Sequence, residues 1–213
     1  MKGLLIKDGR ILFERTRKTL LIILAVGLLM GLTNDSSFFV VWFMLMGSIL
    51  SMSTIAYDEY DNGYPFLMTL PISRKAYAAE KYVFGILCGL CFWVLSVAFT
   101  YLAQKVKGTP LSDGERSILL SSILFPLLVL DISIPISLKY GSEKKRIILL
   151  IIWGALFALA AFFSKVKPEF LSFAPENISL SEPAVILLLA SAVVLFTAVS
   201  ILLSIRIMEN KEF

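Results

Sequence analysis

Six apolar runs, set apart by short polar intervals, govern the chain: Thr19–Leu32, Phe38–Ala56, Val83–Ala103, Ile118–Leu138, Ile147–Phe163 and Pro183–Ile205. A bilayer core asks for about 20 apolar residues per helix. The pattern therefore predicts an all-α membrane protein with six transmembrane helices. The first run is short, and Asn34-Asp35 cuts it from the second, which predicts a helical hairpin with a tight turn. Residues 1–18 have a different rhythm. At 100° per residue, Leu4, Leu5, Ile11, Leu12 and Phe13 share one broad face, while Lys7, Arg10, Glu14, Arg17 and Lys18 lie opposite. That is the pattern of an amphipathic helix along the membrane interface, with its cations near anionic headgroups. The first span gains length by continuing from it. Asp8 and Arg15 interrupt the apolar face two turns apart. They pair with each other or dock a partner, unless the helix is a lipid anchor and nothing more.

The longest polar interruption in the first half is Tyr57–Tyr82, flanked on both sides by apolar runs. A shorter one spans residues 139–146. Composition agrees with membrane embedding: 58% of the 213 residues are hydrophobic and 17% charged, against about 45–50% and about 25% in soluble domains. Mean hydropathy is +0.84. With six spans, the two termini share a side with residues 57–82 and 139–146. Of the 20 Lys and Arg residues, fifteen lie on that side. The excess of cations predicts that both termini and both loops face the cytoplasm. No second domain is visible in residues 1–213, and no internal repeat relates the first three runs to the last three.

Candidate chemistry is sparse. Cys88 and Cys91 form a C-x-x-C, but inside an apolar run and with no second pair or histidine to complete a zinc site. They read as small helix residues. The chain has no histidine, so the commonest general base is missing. It also lacks the G-x-x-x-x-G-K-[ST] loop that cradles nucleotide phosphates, and the H-E-x-x-H and G-x-S-x-G signatures. Gly27-x-x-x-Gly31 and Gly85-x-x-x-Gly89 are small-residue pairs that permit close helix packing in lipid. Pro126 and Pro135 are expected to kink the fourth run, the freed carbonyls being satisfied by neighbours or water. Asp131 is the one ionisable residue well inside a run. It lines a substrate path or makes an interhelical hydrogen bond; both readings stand on its position alone. Between Lys165 and Glu182, Phe170, Leu171 and Phe173 mix with Pro168 and Pro175 as an interfacial cap or a plain loop. Asn177-Ile178-Ser179 is a glycosylation sequon by pattern only.

Several stretches taken together resemble a known family. Tyr57-Asp58-Glu59-Tyr60-Asp61, the run from Met68 through Leu70-Pro71-Ile72-Ser73-Arg74-Lys75-Ala76-Tyr77, and Glu80-Lys81-Tyr82 are similar to the first cytosolic loop of small type-2 ABC exporter permeases. The opening Leu4-Leu5-Ile6-Lys7-Asp8 and the run from Pro135 to Arg146 agree with it. The resemblance implies a non-catalytic permease subunit of a bacterial cell membrane, one half of a pathway made by two copies or two related chains. It implies a separate ABC ATPase subunit that binds ATP and Mg, with no cofactor bound by this chain and no nucleic-acid partner. The loop would hold a coupling helix over Pro71–Lys81, since Pro suits a helix's first turn. Asp58, Glu59, Asp61, Pro71, Arg74, Lys75, Tyr77 and Lys81 would meet the ATPase, with Tyr140, Glu143 and Lys144 as a second contact. Peptides or small amphipathic molecules are the substrates that the resemblance implies. The competing reading, a secondary transporter or channel not driven by ATP, needs an ion-coupling cluster or inverted repeats, and neither is legible.

Overall fold

A computed structural model describes residues 1–33, 36–60, 63–108, 111–165 and 182–211. The described residues are helical with turns, and none is in a strand. In chain order the helices are α1 (Lys2–Thr33), α2 (Ser36–Glu59), α3 (Gly63–Thr69), α4 (Arg74–Lys107), α5 (Asp113–Ser121), α6 (Phe125–Lys165) and α7 (Glu182–Glu209). The expected turn at Asn34-Asp35 and the segment 166–181, which holds the sequon, lie outside the described residues.

Among the described residues, four stretches are long and apolar enough to cross a membrane: Phe39–Glu59, Arg74–Lys107, Asp113–Gly141 and Leu187–Glu209. The other two expected spans, Thr19–Leu32 and Ile147–Phe163, lie in α1 and in the second half of α6. Each belongs to a helix longer than the roughly 20 residues that a bilayer core requires. α1 runs without interruption from Lys2 to Thr33, so the amphipathic segment and the first apolar run form one helix. Its apolar stripe, Leu4, Leu12 and Ile23, is buried in the bundle against α2 and α4.

α2 sits at the centre, packing on α1, α4 and α6. Two cores flank its length. Leu4, Ile55, Tyr77, Tyr82, Leu138 and Met208 belong to one; Phe39, Phe43, Phe84, Phe92 and Leu119 belong to the other. In the second core, Phe43 lies 5.1 Å from Phe92 and edge-on to Phe99 at 6.0 Å. Close helix approach depends on glycines facing large side chains. A Cβ on Gly85 would come within 2.8 Å of Leu130, and one on Gly89 within 2.9 Å of Pro126. Leu130 and Pro126, one helical turn apart on α6, thus seat in the groove that Gly85 and Gly89 leave on α4.

The fourth apolar run comprises the end of α5, a 3-10 turn at Ser122–Leu124 and the start of α6, and the sharp bend in α6 lies past its end. Pro126 falls in the first turn of α6, where its missing N–H is harmless, and Pro135 lies within continuous helix. The break is at Gly141, with φ 76° and ψ 175°, a backbone that a residue with a Cβ rarely adopts. Residues 139–146, expected as a loop, are helical on both sides of this break. The expected helix over Pro71–Lys81 is corrected likewise. Ser73 caps α4 by accepting from the Ala76 N–H, so Pro71 stays in the preceding turn and Arg74–Lys81 open a 34-residue helix. At the opposite end, Gly108 closes α4 in a left-handed conformation. A capping box between Ser112 and Glu115 starts α5, and Gln104 donates to Glu115 at 2.9 Å.

Candidate functional site

The start of α1, the end of α2, α3, the start of α4, the middle of α6 and the end of α7 meet at one end of the bundle. Their meeting point is a buried group of charges. Lys81, with a side chain 1% exposed, donates to Asp8 of α1 and lies 2.7 Å from Asp58 of α2. Lys7 donates to the other oxygen of Asp58 and lies 3.0 Å from Asp8. Tyr77, one turn before Lys81, donates its hydroxyl to Asp58 at 2.9 Å, and Lys81 also reaches Thr54 at 3.4 Å. Glu80 is buried at the edge of the group, its carboxylate 3.8 Å from Lys81, and accepts no hydrogen bond among the described residues. Three carboxylates therefore share two ammonium groups. Burial alone would depress Lys7, but Asp58 and Asp8 override it and hold the amine above its ordinary value. Such a group resists disassembly: removing one partner strands a charge in a medium that solvates it poorly.

Sequence places Asp8 on the apolar stripe of α1, so its side chain enters the bundle with Leu4 and Leu12. Its expected pairing with Arg15 does not occur. Arg15 instead lies over the Tyr57 ring, 5.9 Å from its centroid.

Around this junction the remaining first-loop residues divide. Arg74 donates to the backbone carbonyls of Glu209 and Lys211 at 2.7 and 2.9 Å, and Lys75 pairs with Glu209 at 3.1 Å. Both cations thus cap the C-terminal end of α7, where helix carbonyls attract positive charge. Pro71 is exposed; Asp61 lies outside the described residues. The Glu59 carboxylate packs on Gly141, in the space that a side chain there would need. Lys145 and Lys211 both feel its charge. Burial nevertheless drives Lys145 down to about 8, helped by Arg146 and opposed by Glu59. Burial also lowers Lys211, again against Glu59. Tyr140 and Lys144 are exposed on α6, and the side chain of Glu143 lies outside the described ones.

α3 is not legible in the sequence. Its Tyr64 is buried edge-on to Tyr77 at 5.9 Å, beneath Lys211, which lies 4.5 Å above the ring. Burial raises the Tyr64 hydroxyl above its usual range, and the charges of Glu59 and Asp58 add to this. On its other face Phe66 is 70% exposed.

Deeper in the bundle, Asp131 forms a second buried polar group, with no cation in it. Thr197 of α7 donates to its carboxylate at 2.7 Å. Pro135 offers no N–H to the Asp131 carbonyl four residues earlier. Ser200 fills that vacancy, donating to the carbonyl at 2.6 Å. Ser200 and Ser204 both hydrogen-bond the Tyr82 hydroxyl, at 2.7 and 2.8 Å. α4, α6 and α7 are thereby joined through hydroxyl groups. Asp131 is the visible member in the sequence; the Ser and Thr of α7 carry no distinguishing signal of their own.

Cys88 and Cys91 are free thiols on α4. No group of His, Cys, Asp and Glu able to hold a metal occurs among the described residues. Among known protein families, the model of the ABC-2 family transporter protein matches the chain over residues 3–209. No curated protein and no solved structure matches.

Proposed function

Because the chain belongs to the ABC-2 transporter family, and so is a multi-pass membrane permease of an ABC transporter, we propose a specific role for it. It forms one half of the pathway of an ATP-driven exporter, beside a second copy or a related chain, and is driven by a separate ATPase subunit. The junction end faces the cytoplasm, with both termini, and Thr19–Leu32 and Ile147–Phe163 complete six spans. The observation that carries the reading is the convergence of α1, α2 and α4 on Lys81. Force delivered there reaches three helices at once, because none can shift without separating buried charges.

ATP and Mg belong to the partner, since the chain carries no phosphate loop. Contact with the ATPase is made through α3 and the turn after it. Phe66, Leu70 and Tyr60 are exposed large residues in this region, and exposed aromatic residues suit protein interfaces. Arg74 and Lys75 transmit the contact to α7 through Glu209. Peptides or small amphipathic molecules are the substrate class, suited to a mostly apolar path with scattered hydroxyls.

The test is co-purification with a stand-alone ABC ATPase encoded with this chain, and then ATPase measurement in lipid. Association is expected, and Phe66→Asp should abolish it. The Arg74→Gln, Lys75→Gln double variant should keep association but uncouple ATPase activity from transport. An ATPase that does not associate, or Phe66→Asp and the double variant both behaving as the parent chain, would overturn the reading.

A further inference from the structure

Between α6 and α7, at the junction end, a pocket of about 380 Å³ is lined by Leu138, Lys139, Leu203, Arg206, Ile207, Asn210 and Lys211. The described residues of its lining hold three cations and no carboxylate, and Glu59 acts on one of these cations, Lys211. Lys139 and Arg206 make no ion pair among the described residues; the Lys139 amine lies over the Tyr140 ring at 5.1 Å. Lys211 is directed inward, donating to the Leu138 carbonyl at 2.9 Å. Like charges gathered beside apolar side chains repel one another, and an anion seated among them relieves that repulsion.

The pocket continues in one direction only as an apolar surface. Leu203, Arg206 and Ile207 of α7, with Asn210 in the turn that ends it, keep the i, i+3, i+4, i+7 spacing of one helix face. The same face runs back through Val199 and Phe196, which are half exposed, as is Leu203. A polar, cationic recess at the helix end thus opens onto an apolar track along the membrane-crossing length.

We propose that this recess binds the headgroup of an anionic phospholipid, its phosphate between Lys139 and Arg206 and its acyl chain along Leu203, Val199 and Phe196. Charge complementarity selects the headgroup, and the apolar track selects a lipid over a soluble phosphate. Basic pockets between membrane helices suit such headgroups. The proposal requires a membrane-embedded bundle and does not depend on how the ATPase is engaged.

The experiment uses the full chain in neutral detergent, titrated with phosphatidylglycerol or phosphatidylcholine of equal chain length, with bound lipid counted by native mass spectrometry. Phosphatidylglycerol should be retained about thirtyfold more tightly, the scale of two interfacial cations. Lys139→Gln with Arg206→Gln should bring it to the level of phosphatidylcholine. Arg206→Lys, which keeps the charge, should restore most of the preference if the double variant proves unstable. Lys105→Gln with Arg116→Gln, far from the pocket, should change nothing. Equal retention of the two lipids, or a preference that survives the pocket variants, would overturn the proposal. So would displacement of the lipid by millimolar inorganic phosphate, which would assign the recess to a soluble anion.

Discussion

Asp58 and Asp131 are both buried aspartates at helix–helix junctions, yet they are stabilised in opposite ways. Asp58 lies where helix ends converge and is matched by Lys7, Lys81 and the Tyr77 hydroxyl. Asp131 lies within a crossing helix and is met by Thr197, while Ser200 attends its carbonyl. Near a membrane interface, long lysine side chains can bring charge to a buried acid while keeping their origin close to water. Deeper in the bilayer a cation is costly, and short hydroxyls supply hydrogen bonds without adding charge. The first solution joins helices through buried charge; the second joins them through neutral donors alone.

Breaking the first solution should have the largest effect. Lys81→Met removes the more deeply buried of the two cations and leaves Asp8 and Asp58 with Lys7 alone. The loss should be about 3–5 kcal/mol, seen as a lowered unfolding temperature of the purified chain in detergent. The second solution predicts a graded response. Asp131→Asn keeps an acceptor for Thr197 and should cost under about 1 kcal/mol, whereas Asp131→Leu removes it and should cost about 1–3 kcal/mol. Equal losses for Asn and Leu would mean that charge, rather than hydrogen bonding, holds this site. Asp131→Asn with transport abolished and stability intact would give the carboxylate a part in the substrate path.

Lys145 sharpens the comparison with the smallest effect. It lies at the bundle end, but burial depresses its pKa to about 8 despite Glu59. Between that value and the ordinary 10.5, the folded chain has released a proton that the unfolded chain still holds. Stability contributed by this group therefore rises with pH across the window from about 8 to 10.5. Lys211 is shifted in the same direction. Lys145→Met should flatten the rise in unfolding temperature over that window, while Lys144→Met, exposed one residue earlier, should leave it unchanged.

Sequence rhythm reveals the helical architecture because a bilayer demands long apolar runs, and these survive any detail of packing. It also singles out Asp8, Asp58, Lys81 and Asp131, each a charge out of keeping with its surroundings or set in a family-like motif. It does not join Asp8 to Lys81, since 73 residues separate them and helix periodicity is silent about distant partners. The burial of Glu80 is hidden because alternation in charged segments conceals which face turns inward. Residues 71–81 suggest an independent helix because Pro71 suits a first turn. Ser73, whose side chain accepts a hydrogen bond that Pro71 has no means to accept, sets the true start. α3 is invisible because seven residues containing a proline carry no period. Pro135 is the natural place to expect a kink, but a hydroxyl from α7 repairs that site. Gly141 bends the helix instead, because only there does the backbone of α6 require a positive φ.

The central claim is that Asp8 and Lys81 bind α1 to α4 as one buried unit. A double-mutant cycle with Asp8→Asn and Lys81→Met, read by thermal unfolding of the purified chain, tests it directly. Removing both groups should cost less than the sum of the single losses by at least about 1 kcal/mol. Additive losses would show that the two side chains do not depend on each other, and would contradict the account.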